Sequence, residues 1–553
     1  MRKKRLGLAL LSLILPLFVS AQEKYPEITR ADSLRGMLSP FRACYDVNFY
    51  HLDIQVDVEE KQISGSNLFQ FTAVHDFKIL QFDLFDNYLI EKILYQGKEL
   101  EYTTEFDAIF LEFPDTIKKG TKADFTVFYS GAPIIAKNAP WEGGFIYSQD
   151  ATGKPWVAVA CQELGASSWW PTKDHQSDEP DSMLISVSVP EGLMNISNGR
   201  LRSTEKLRNG YTRFNWFVSQ PINNYNVTLN IGDFALLKDS FQGANGTLTL
   251  EYYILKENQT KAEKHFSANV KPMLQCFEAW FGPYPFYRDG YKLVETPYLG
   301  MEHQSAISYG NQYTNGYRGQ DISQTGLGLK WDYIVIHESG HEWFGNNISS
   351  SDIADMWIHE AFTTYSEGVF VECTQGKDAA RRYIAGLRKS IRNDIPIIGL
   401  YDVNKKGSTD MYFKGTNLLH TVRTLIDDDN RWRQILRGLN ERFGLKTTTT
   451  EEIVTYINKL SGKDLTKVFD QYLRYRNIPQ LEIKTTGSKI LYRWKSDVID
   501  FNMPIKAKLR KNGDWQFIHP TTDWQYAPTQ LSAREFEVDT ENFYIKVTHL
   551  EKE

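Results

Sequence analysis

The residues best suited to chemistry lie in the stretch IVIHESGHEWFG, residues 334–345. His337 and His341 are four residues apart, and Glu338 lies between them. A four-residue step returns to the same face of a helix, so both imidazoles would point in one direction and could share one zinc ion. Glu338 would lie about 100° further round the helix, beside the metal without being forced to bind it.

A third ligand is needed, because such a motif also arises by chance. Glu360 lies nineteen residues after His341, in a second helical pattern that follows the polar loop NNISSSD. Two antiparallel helices would bring Glu360 opposite the histidines. His337, His341 and Glu360, with water in the fourth position, form a catalytic type of zinc site, one ion per chain. Glu367, two turns beyond Glu360, is either a hydrogen-bond acceptor for a ligand histidine or an acid exposed on its helix.

Hydrophobic periodicity places these residues in the helical middle of the chain. Alternating patterns run from residue 22 to about 250, helical spacing runs from about 256 to 475, and alternation returns from about 480. We therefore predict a multidomain α+β chain with an N-terminal antiparallel β domain (22–250), a catalytic domain (251–478) and a small C-terminal β domain (479–553). One helix is predicted to carry the histidine motif, over residues 326–346.

Residues 1–21 have the pattern of a secretory signal peptide. A basic start, MRKKR, is followed by 14 apolar residues and then by small residues before Gln22. A spanning helix needs about 20 apolar residues, so cleavage after Ala21 is favoured over an uncleaved anchor. We expect an exported protein, periplasmic or secreted, with no stable membrane anchor.

Composition narrows the class of partner. Hydrophobic residues make up 41% of the chain and aromatic residues 14%, which is typical of a packed globular protein. A formal charge of −6 argues against a nucleic-acid partner. The four cysteines lack zinc-finger or redox spacing, so we expect mostly buried free thiols with an occasional disulfide; they are Cys44, Cys161, Cys276 and Cys373.

The stretch HESGHEWFGNNIS, followed by DMWIHEAFTTYSEG, resembles the zinc signature of the M1 aminopeptidases. This gluzincin family includes leukotriene A4 hydrolase and aminopeptidase N. The resemblance extends over residues from about 45 to 480 and implies a thermolysin-like catalytic domain. The family usually has Asn and Gly on either side of the ligand Glu, where this chain has His359 and Ala361. His359 neighbours Glu360 on the helix and is expected to point away from the metal.

A second stretch, YLGMEHQ, resembles the exopeptidase motif G-x-M-E-N of this family. Gly300, Met301 and Glu302 match in a degenerate form, and His303 stands in place of Asn. The resemblance implies that Glu302 binds the α-ammonium group of the substrate. The alternative is a strand acid that faces solvent.

Two further stretches resemble family segments that complete the site. VACQELG resembles the segment that supplies a Gln and often a second acid to the amine site, which implies these roles for Gln162 and Glu163. YFKG resembles Y-x-K-G, which implies that Tyr412 donates a hydrogen bond to the oxyanion.

The resemblance implies a zinc-dependent aminopeptidase that hydrolyses the N-terminal peptide bond by a metal-activated water, with Glu338 as general base. Its partners would be peptides with a free N-terminus. Two alternatives use the same site, a zinc endopeptidase and an epoxide hydrolase. A third is a catalytically inactive peptide-binding surface protein, against which the intact set of ligands argues.

Overall fold

The structure is a computed structural model that describes residues 27–487, 489–532 and 535–550. The predicted signal peptide lies outside these residues. The described chain begins with two short helices, α1 (Arg30–Gly36) and α2 (Pro40–Ala43). Thr29 and Asp32 form a capping box at the start of α1, which stabilises so short a helix.

The N-terminal part is built from β-sheets. The strand Tyr45–Asp57 alternates buried and partly exposed residues, as expected for a sheet with one face on the core. It pairs in parallel with Ser182–Pro190 and antiparallel with Gln62–Ala73. The eight-stranded sheet has the order Arg200–Lys206, Tyr211–Val218, Ser182–Pro190, Tyr45–Asp57, Gln62–Ala73, Lys122–Gly131, Tyr88–Tyr95, Lys98–Glu99.

Two smaller sheets complete this part. One has the order Met194–Ser197, Leu229–Gly232, Pro155–Ala160, Gly144–Gln149, and the other Phe77–Asp83, Ala108–Ile117, Tyr102–Glu105.

A five-stranded sheet leads into the helical part. Its order is Phe234–Gly243, Gly246–Leu255, Tyr291–Glu295, Ile307–Tyr309, Gly300–Met301. The predicted boundary at residue 250 falls inside the second of these strands, which pairs in parallel with the third. Hydrogen bonding therefore joins the hairpin at 234–255 to the sheet that carries Gly300 and Met301. Alternation alone did not indicate which sheet the hairpin would join.

Eight helices follow in the described chain: α3 (Gln259–Phe281), α4 (Tyr333–Gly340), α5 (Trp357–Gln375), α6 (Lys377–Leu387), α7 (Phe413–Ile426), α8 (Asp429–Phe443), α9 (Thr450–Ser461) and α10 (Thr466–Leu473). Helix α5 is the central one. Its residues 357–371 are buried on every side, and it packs on α3, α4, α6 and α7. No helix in the described part of the chain is both long and apolar enough to span a bilayer.

Helix α4 is shorter than predicted. We expected a helix from residue 326, whereas α4 begins at Tyr333. The Asp332 carboxylate accepts hydrogen bonds from the backbone N–H groups of Ile334 and Val335, so it caps the helix, and Trp331 before it is extended. The helical spacing of apolar residues extends from α4 back across Asp332 to residue 326, so the pattern did not indicate the cap.

The C-terminal part returns to strands. One sheet has the order Gln525–Tyr526, Lys489–Lys495, Gln480–Thr486, Lys546–His549, and a hairpin pairs Ile505–Lys508 with Trp515–Ile518. The strand Ile348–Ser350 pairs with Lys446–Thr448. One hydrophobic core joins the helices to this C-terminal part, and a second core fills the N-terminal sheets. The predicted multidomain α+β class is confirmed.

A disulfide joins the two longest helices. Cys276 of α3 bonds to Cys373 of α5, with a Cα–Cα distance of 6.1 Å. Cys44 and Cys161 are buried free thiols. The sequence predicted no pairing because the bonded cysteines are 97 residues apart.

Candidate active site

Helices α4 and α5 bring the three predicted metal ligands together. One ligand atom from each of His337, His341 and Glu360 lies within 4.8 Å of the others. Glu360 Oε2 is 3.5 Å from His341 Nε2 and 3.8 Å from His337 Nε2. All three side chains are buried. The four-residue step and the antiparallel second helix therefore give the predicted geometry.

Each imidazole is oriented through its other nitrogen. His337 Nδ1 lies 2.7 Å from Glu367 Oε1, and the Tyr383 hydroxyl donates to Glu367 Oε2 at 2.6 Å. His341 Nδ1 lies 3.0 Å from the backbone oxygen of Phe344. With Nδ1–H donated in both rings, both Nε2 lone pairs are left for a shared ligand. Glu367 is buried, not solvent-exposed, and contacts a ligand histidine as predicted.

The helical conformation is interrupted just after α4, and the turn formed there supplies the backbone acceptor for His341. Residues 342–346 form a π-turn in which Phe344 and Gly345 leave the helical conformation. Gly345 has φ +124°, which a side chain would strain, and a Cβ there would lie 3.1 Å from His341 Nδ1. The break turns the Phe344 carbonyl toward His341.

The three ligands fit a zinc ion. Glu360 Oε2 is buried and has no hydrogen-bond partner among the described residues. Buried carboxylate oxygens are normally satisfied, so this atom indicates a missing partner. Two imidazole nitrogens and one carboxylate oxygen are a donor set that zinc favours when a fourth position is left for water or substrate.

Charges in the pocket also favour a cation. Burial acts against charge on His341, but Glu302 and Glu360 raise its pKa to about 10. Burial likewise acts against ionisation of Glu360, but His341 and His337 hold its pKa at about 2. Burial is the main cause that raises the pKa of Glu338 to about 7. Several buried acids therefore surround the two histidines, and they would stabilise a metal ion as they stabilise a proton.

Helix α4 lies close to the strand Gly300–Met301, at the edge of the five-stranded sheet. Glu338 and Glu302 lie on either side of this contact. A Cβ on Gly300 would lie 2.9 Å from Glu338 Oε1 and 2.8 Å from Ile334 Cγ2, so the glycine lets the strand approach. Glu302 follows this strand directly after Met301, and both residues are buried. Glu302, Glu338 and His341 each have a ligand atom within 4.8 Å of the others. The predicted alternative, a solvent-facing acid at Glu302, is wrong.

Residues of the N-terminal part hold Glu302 in place. The Gln162 side-chain amide donates to Glu302 Oε1, and the Tyr225 hydroxyl donates to the same oxygen at 3.3 Å. Glu163 does not join them, because its carboxylate forms an ion pair with Lys406. Tyr225 was not predicted, since no spacing in the sequence connects it to residue 302.

Tyr412 lies on the other side of the ligands, just before α7. Its hydroxyl donates to Glu360 Oε1 at 3.0 Å. A Cβ on Gly415 would lie 2.6 Å from the Ala361 Cβ, so this glycine lets α7 approach α5. Close packing of the two helices brings the phenol to the metal ligands.

The two histidines that replace family residues have structural contacts. His359 Nε2 accepts a hydrogen bond from the Ser350 N–H at 2.8 Å, so it faces away from the ligands as expected. His303 is buried, and its Nδ1 lies 3.1 Å from Ser308 Oγ.

A cavity of about 500 Å³ opens over these groups. The ligands, Glu338, Glu302 and Tyr412 line it together with two chemically different sets of residues. The apolar set is Trp141, Leu299, Tyr317, Ile322 and Ile334, and the polar set is Ser390, Arg392, Lys406, Thr409 and Asp410.

Comparison with known proteins agrees with this geometry. The family described as Peptidase family M1 domain matches residues 266–472. Endoplasmic reticulum aminopeptidase 1 of Mus musculus is 22% identical over 61% of this chain and 37% of its own length. Leukotriene A-4 hydrolase of Xenopus laevis is 23% identical over 74% of this chain and 67% of its own length. The chain thus spans about two fifths of the length of the first of these relatives.

Solved structures share the fold. An M1 zinc metallopeptidase of Deinococcus radiodurans, a mutant bound to the substrate Tyr-Ser-Ala, superposes with a TM-score of 0.66 and 20% identity. The match covers 81% of this chain and 98% of that one. Residues 266–472 are thus the part of this chain that is similar to the peptidase family M1 domain.

Proposed function

We propose that this protein is a zinc-dependent aminopeptidase that hydrolyses the N-terminal peptide bond of peptides. The main support is the buried Glu302 carboxylate, held by Gln162 and Tyr225 beside His341 and Glu338. A carboxylate in such a site makes a strong charge-assisted hydrogen bond to an ammonium group. A substrate held there by its α-ammonium would place only its first peptide bond at the metal ligands.

His337, His341 and Glu360 would hold one zinc ion, which when bound supplies a Lewis acid for the scissile carbonyl and for water. Glu338 takes a proton from the attacking water and passes it to the leaving amine. Burial raises the pKa of Glu338 above its usual value, which suits a group that takes up a proton and then gives it back. The Tyr412 hydroxyl donates to the oxygen that becomes negative during attack.

The buried Glu302 carboxylate also argues against an endopeptidase. Such an enzyme cleaves bonds far from the chain end and does not need a carboxylate, held by Gln162 and Tyr225, to bind an α-ammonium group. An epoxide hydrolase would not need a buried carboxylate aimed at an ammonium group, and an inactive binding protein would not need the complete set of His337, His341, Glu360 and Glu338.

Export is the second part of the proposal, to the periplasm or the medium. It is supported by the signal-peptide pattern of residues 1–21. The Cys276–Cys373 disulfide also supports it, because disulfides persist in oxidising compartments.

The proposal is tested by hydrolysis of aminoacyl-p-nitroanilides, each beside its N-acetylated twin, with and without a zinc chelator. We expect cleavage of the free-amine compounds only, and its loss when the metal is removed. Cleavage of acetylated twins would contradict the aminopeptidase assignment while keeping the metal site. Absence of cleavage by the zinc-loaded protein would contradict a peptidase altogether.

A further inference from the structure

The N-terminal arm, residues 27–36, contacts two segments that line the active-site cavity. The first is the turn at residues 162–165, after the strand Pro155–Ala160. The second is the loop at residues 402–406, which precedes Tyr412. The two segments come from distant parts of the sequence, and α1 of the arm lies between them.

Arg35 joins both segments through one guanidinium group. It donates a hydrogen bond to the backbone oxygen of Leu164. The side-chain oxygen of Asn404, in the amide orientation that satisfies both of its atoms, accepts from Nη1 and Nη2 at 3.3 Å each. The guanidinium also lies 4.9 Å from the centre of the Phe85 ring, which fixes its plane.

The rest of the arm contacts the 402–406 loop closely. A Cβ on Gly36 would lie 2.1 Å from the Val403 carbonyl carbon and 2.3 Å from Asn404 N, so no side chain fits there. The Asp32 backbone oxygen accepts from Asn404 N at 3.2 Å. The Asp32 carboxylate pairs with Lys405 Nζ at 3.1 Å.

Each of these contacts lies one or two residues along the chain from a residue that lines the cavity. Gln162, two residues before Leu164, holds Glu302 through its amide. Lys406, two residues after Asn404, pairs with Glu163 at the cavity. A shift of the turn at residues 162–165 would move Gln162 relative to Glu302, and a shift of either segment would separate Glu163 from Lys406.

We propose that the N-terminal arm is a positioning element for the amine-binding end of the cavity, with Arg35 acting on Gln162 through the turn at residues 162–165, and Gly36 acting on the Glu163–Lys406 pair through the loop at residues 402–406. The inference rests on the proposed function, because only a substrate with a free amine uses the Gln162–Glu302 pair. The arm touches neither the metal ligands nor Glu338 in any contact of the described residues.

Arg35→Ala is expected to raise KM for a free-amine p-nitroanilide, since substrate affinity depends on the placement of Glu302. Loss of its hydrogen bonds should raise KM about tenfold and change kcat by less than about twofold. Arg35→Lys keeps one donor and should give an intermediate KM. Gly36→Ala, which pushes on the loop from the arm, should raise KM in the same way.

Arg30→Ala is the matched control on the same helix. Arg30 pairs with Glu105 at an exposed position, away from both segments, so kinetics should stay as in the wild type. Zinc content, measured on every variant, should stay at one ion per chain. An unchanged KM in Arg35→Ala would overturn the proposal. A fall in kcat with loss of zinc would also overturn it, because it would indicate a general structural role.

Amide hydrogen exchange gives a readout that does not depend on activity. Arg35→Ala should speed exchange at residues 162–168 and 402–408, while Arg30→Ala should not. If the zinc-loaded wild type hydrolyses no peptide, the proposed function fails, and exchange alone then decides on the arm. Unchanged exchange in both segments would overturn it, and faster exchange confined to them would support it.

Discussion

The Glu338 carboxyl lies against Gly300, in a buried position near His337 and His341. Among the polar residues of the site, Glu338 is the one whose proposed role in proton transfer can best be separated from a role in holding the site together. It contacts the reacting position without being one of the three ligands, so its removal should leave the metal site in place.

Glu338→Gln should keep zinc and lose turnover. The amide has nearly the same volume, but it takes no proton from water, so kcat should fall about 10³-fold. Zinc content by elemental analysis and initial rates on a free-amine p-nitroanilide measure the two effects. Glu263→Gln, at an exposed position of α3, is the control and should change neither. Near-normal activity in Glu338→Gln would contradict the role of general base.

At this scale, short-range spacing predicted part of the site. The helical step and the following helix were enough to predict His337, His341, Glu360 and the partner Glu367. Tyr225 and the Glu163–Lys406 pair were not predicted, because their contacts join residues far apart in sequence. Only the packed tertiary structure determines such pairs.

At the scale of elements, α5 organises the helical part. It carries Glu360 and Glu367, is buried on all sides, and is bonded to α3 through Cys373. The sequence predicted α5 well, since its pattern is long. It placed the start of α4 too early, because the Asp332 cap interrupts a continuous apolar pattern.

Removing the disulfide should destabilise the protein. Cys276 and Cys373 close a loop with a separation of 97 residues, and such a link restricts the unfolded chain. The Cys276→Ser, Cys373→Ser double variant should lose about 2–4 kcal/mol of unfolding free energy in urea titrations. Reducing agent should lower the wild type to the level of the variant and leave the variant unchanged. Equal stability of the oxidised and reduced wild type would contradict this expectation.

At the scale of the whole molecule, the confirmed α+β class was predicted from three successive regions, with alternating, helical and again alternating patterns. The sequence pattern did not predict which sheet residues 234–255 would join, because strands with the same alternation can pair in either of two sheets. The molecule also buries ionisable groups outside the active site, and these groups determine how its stability changes with pH.

His175 should make stability fall in acid. Burial, together with the charges of Arg42 and Lys173, lowers its pKa to about 3. As pH falls through the ordinary histidine pKa of about 6.5, the unfolded chain takes up a proton that the folded chain does not, so stability is lost from there down to about 3.

Glu179 opposes this effect over part of the range. Burial is the main cause that raises its pKa to about 7, so the folded chain binds a proton first, and its contribution grows as pH falls from about 7 to about 4.5. The combined contribution of His175 and Glu179 should fall most steeply below about pH 4.5, where Glu179 no longer compensates. Urea midpoints measured from about pH 7 to 3.5 should show this, and His175→Gln should flatten the curve. His519→Gln, at an exposed position, is the control and should show the same pH dependence of the urea midpoint as the wild type. If His175→Gln also shows the wild-type pH dependence, the assignment of the effect to His175 is wrong.

The two hydrophobic cores divide the active site between them. The core that joins the helices to the C-terminal part surrounds the elements that carry the metal ligands, while Gln162 and Tyr225 come from turns of the N-terminal part, which has the second core. Under the proposed function, the groups for bond cleavage and the residues that hold the amine-binding carboxylate therefore come from parts of the molecule with different hydrophobic cores. If the proposed function is right, substitutions in these N-terminal turns could alter the choice of substrate terminus while the three metal ligands and Glu338 stay unchanged.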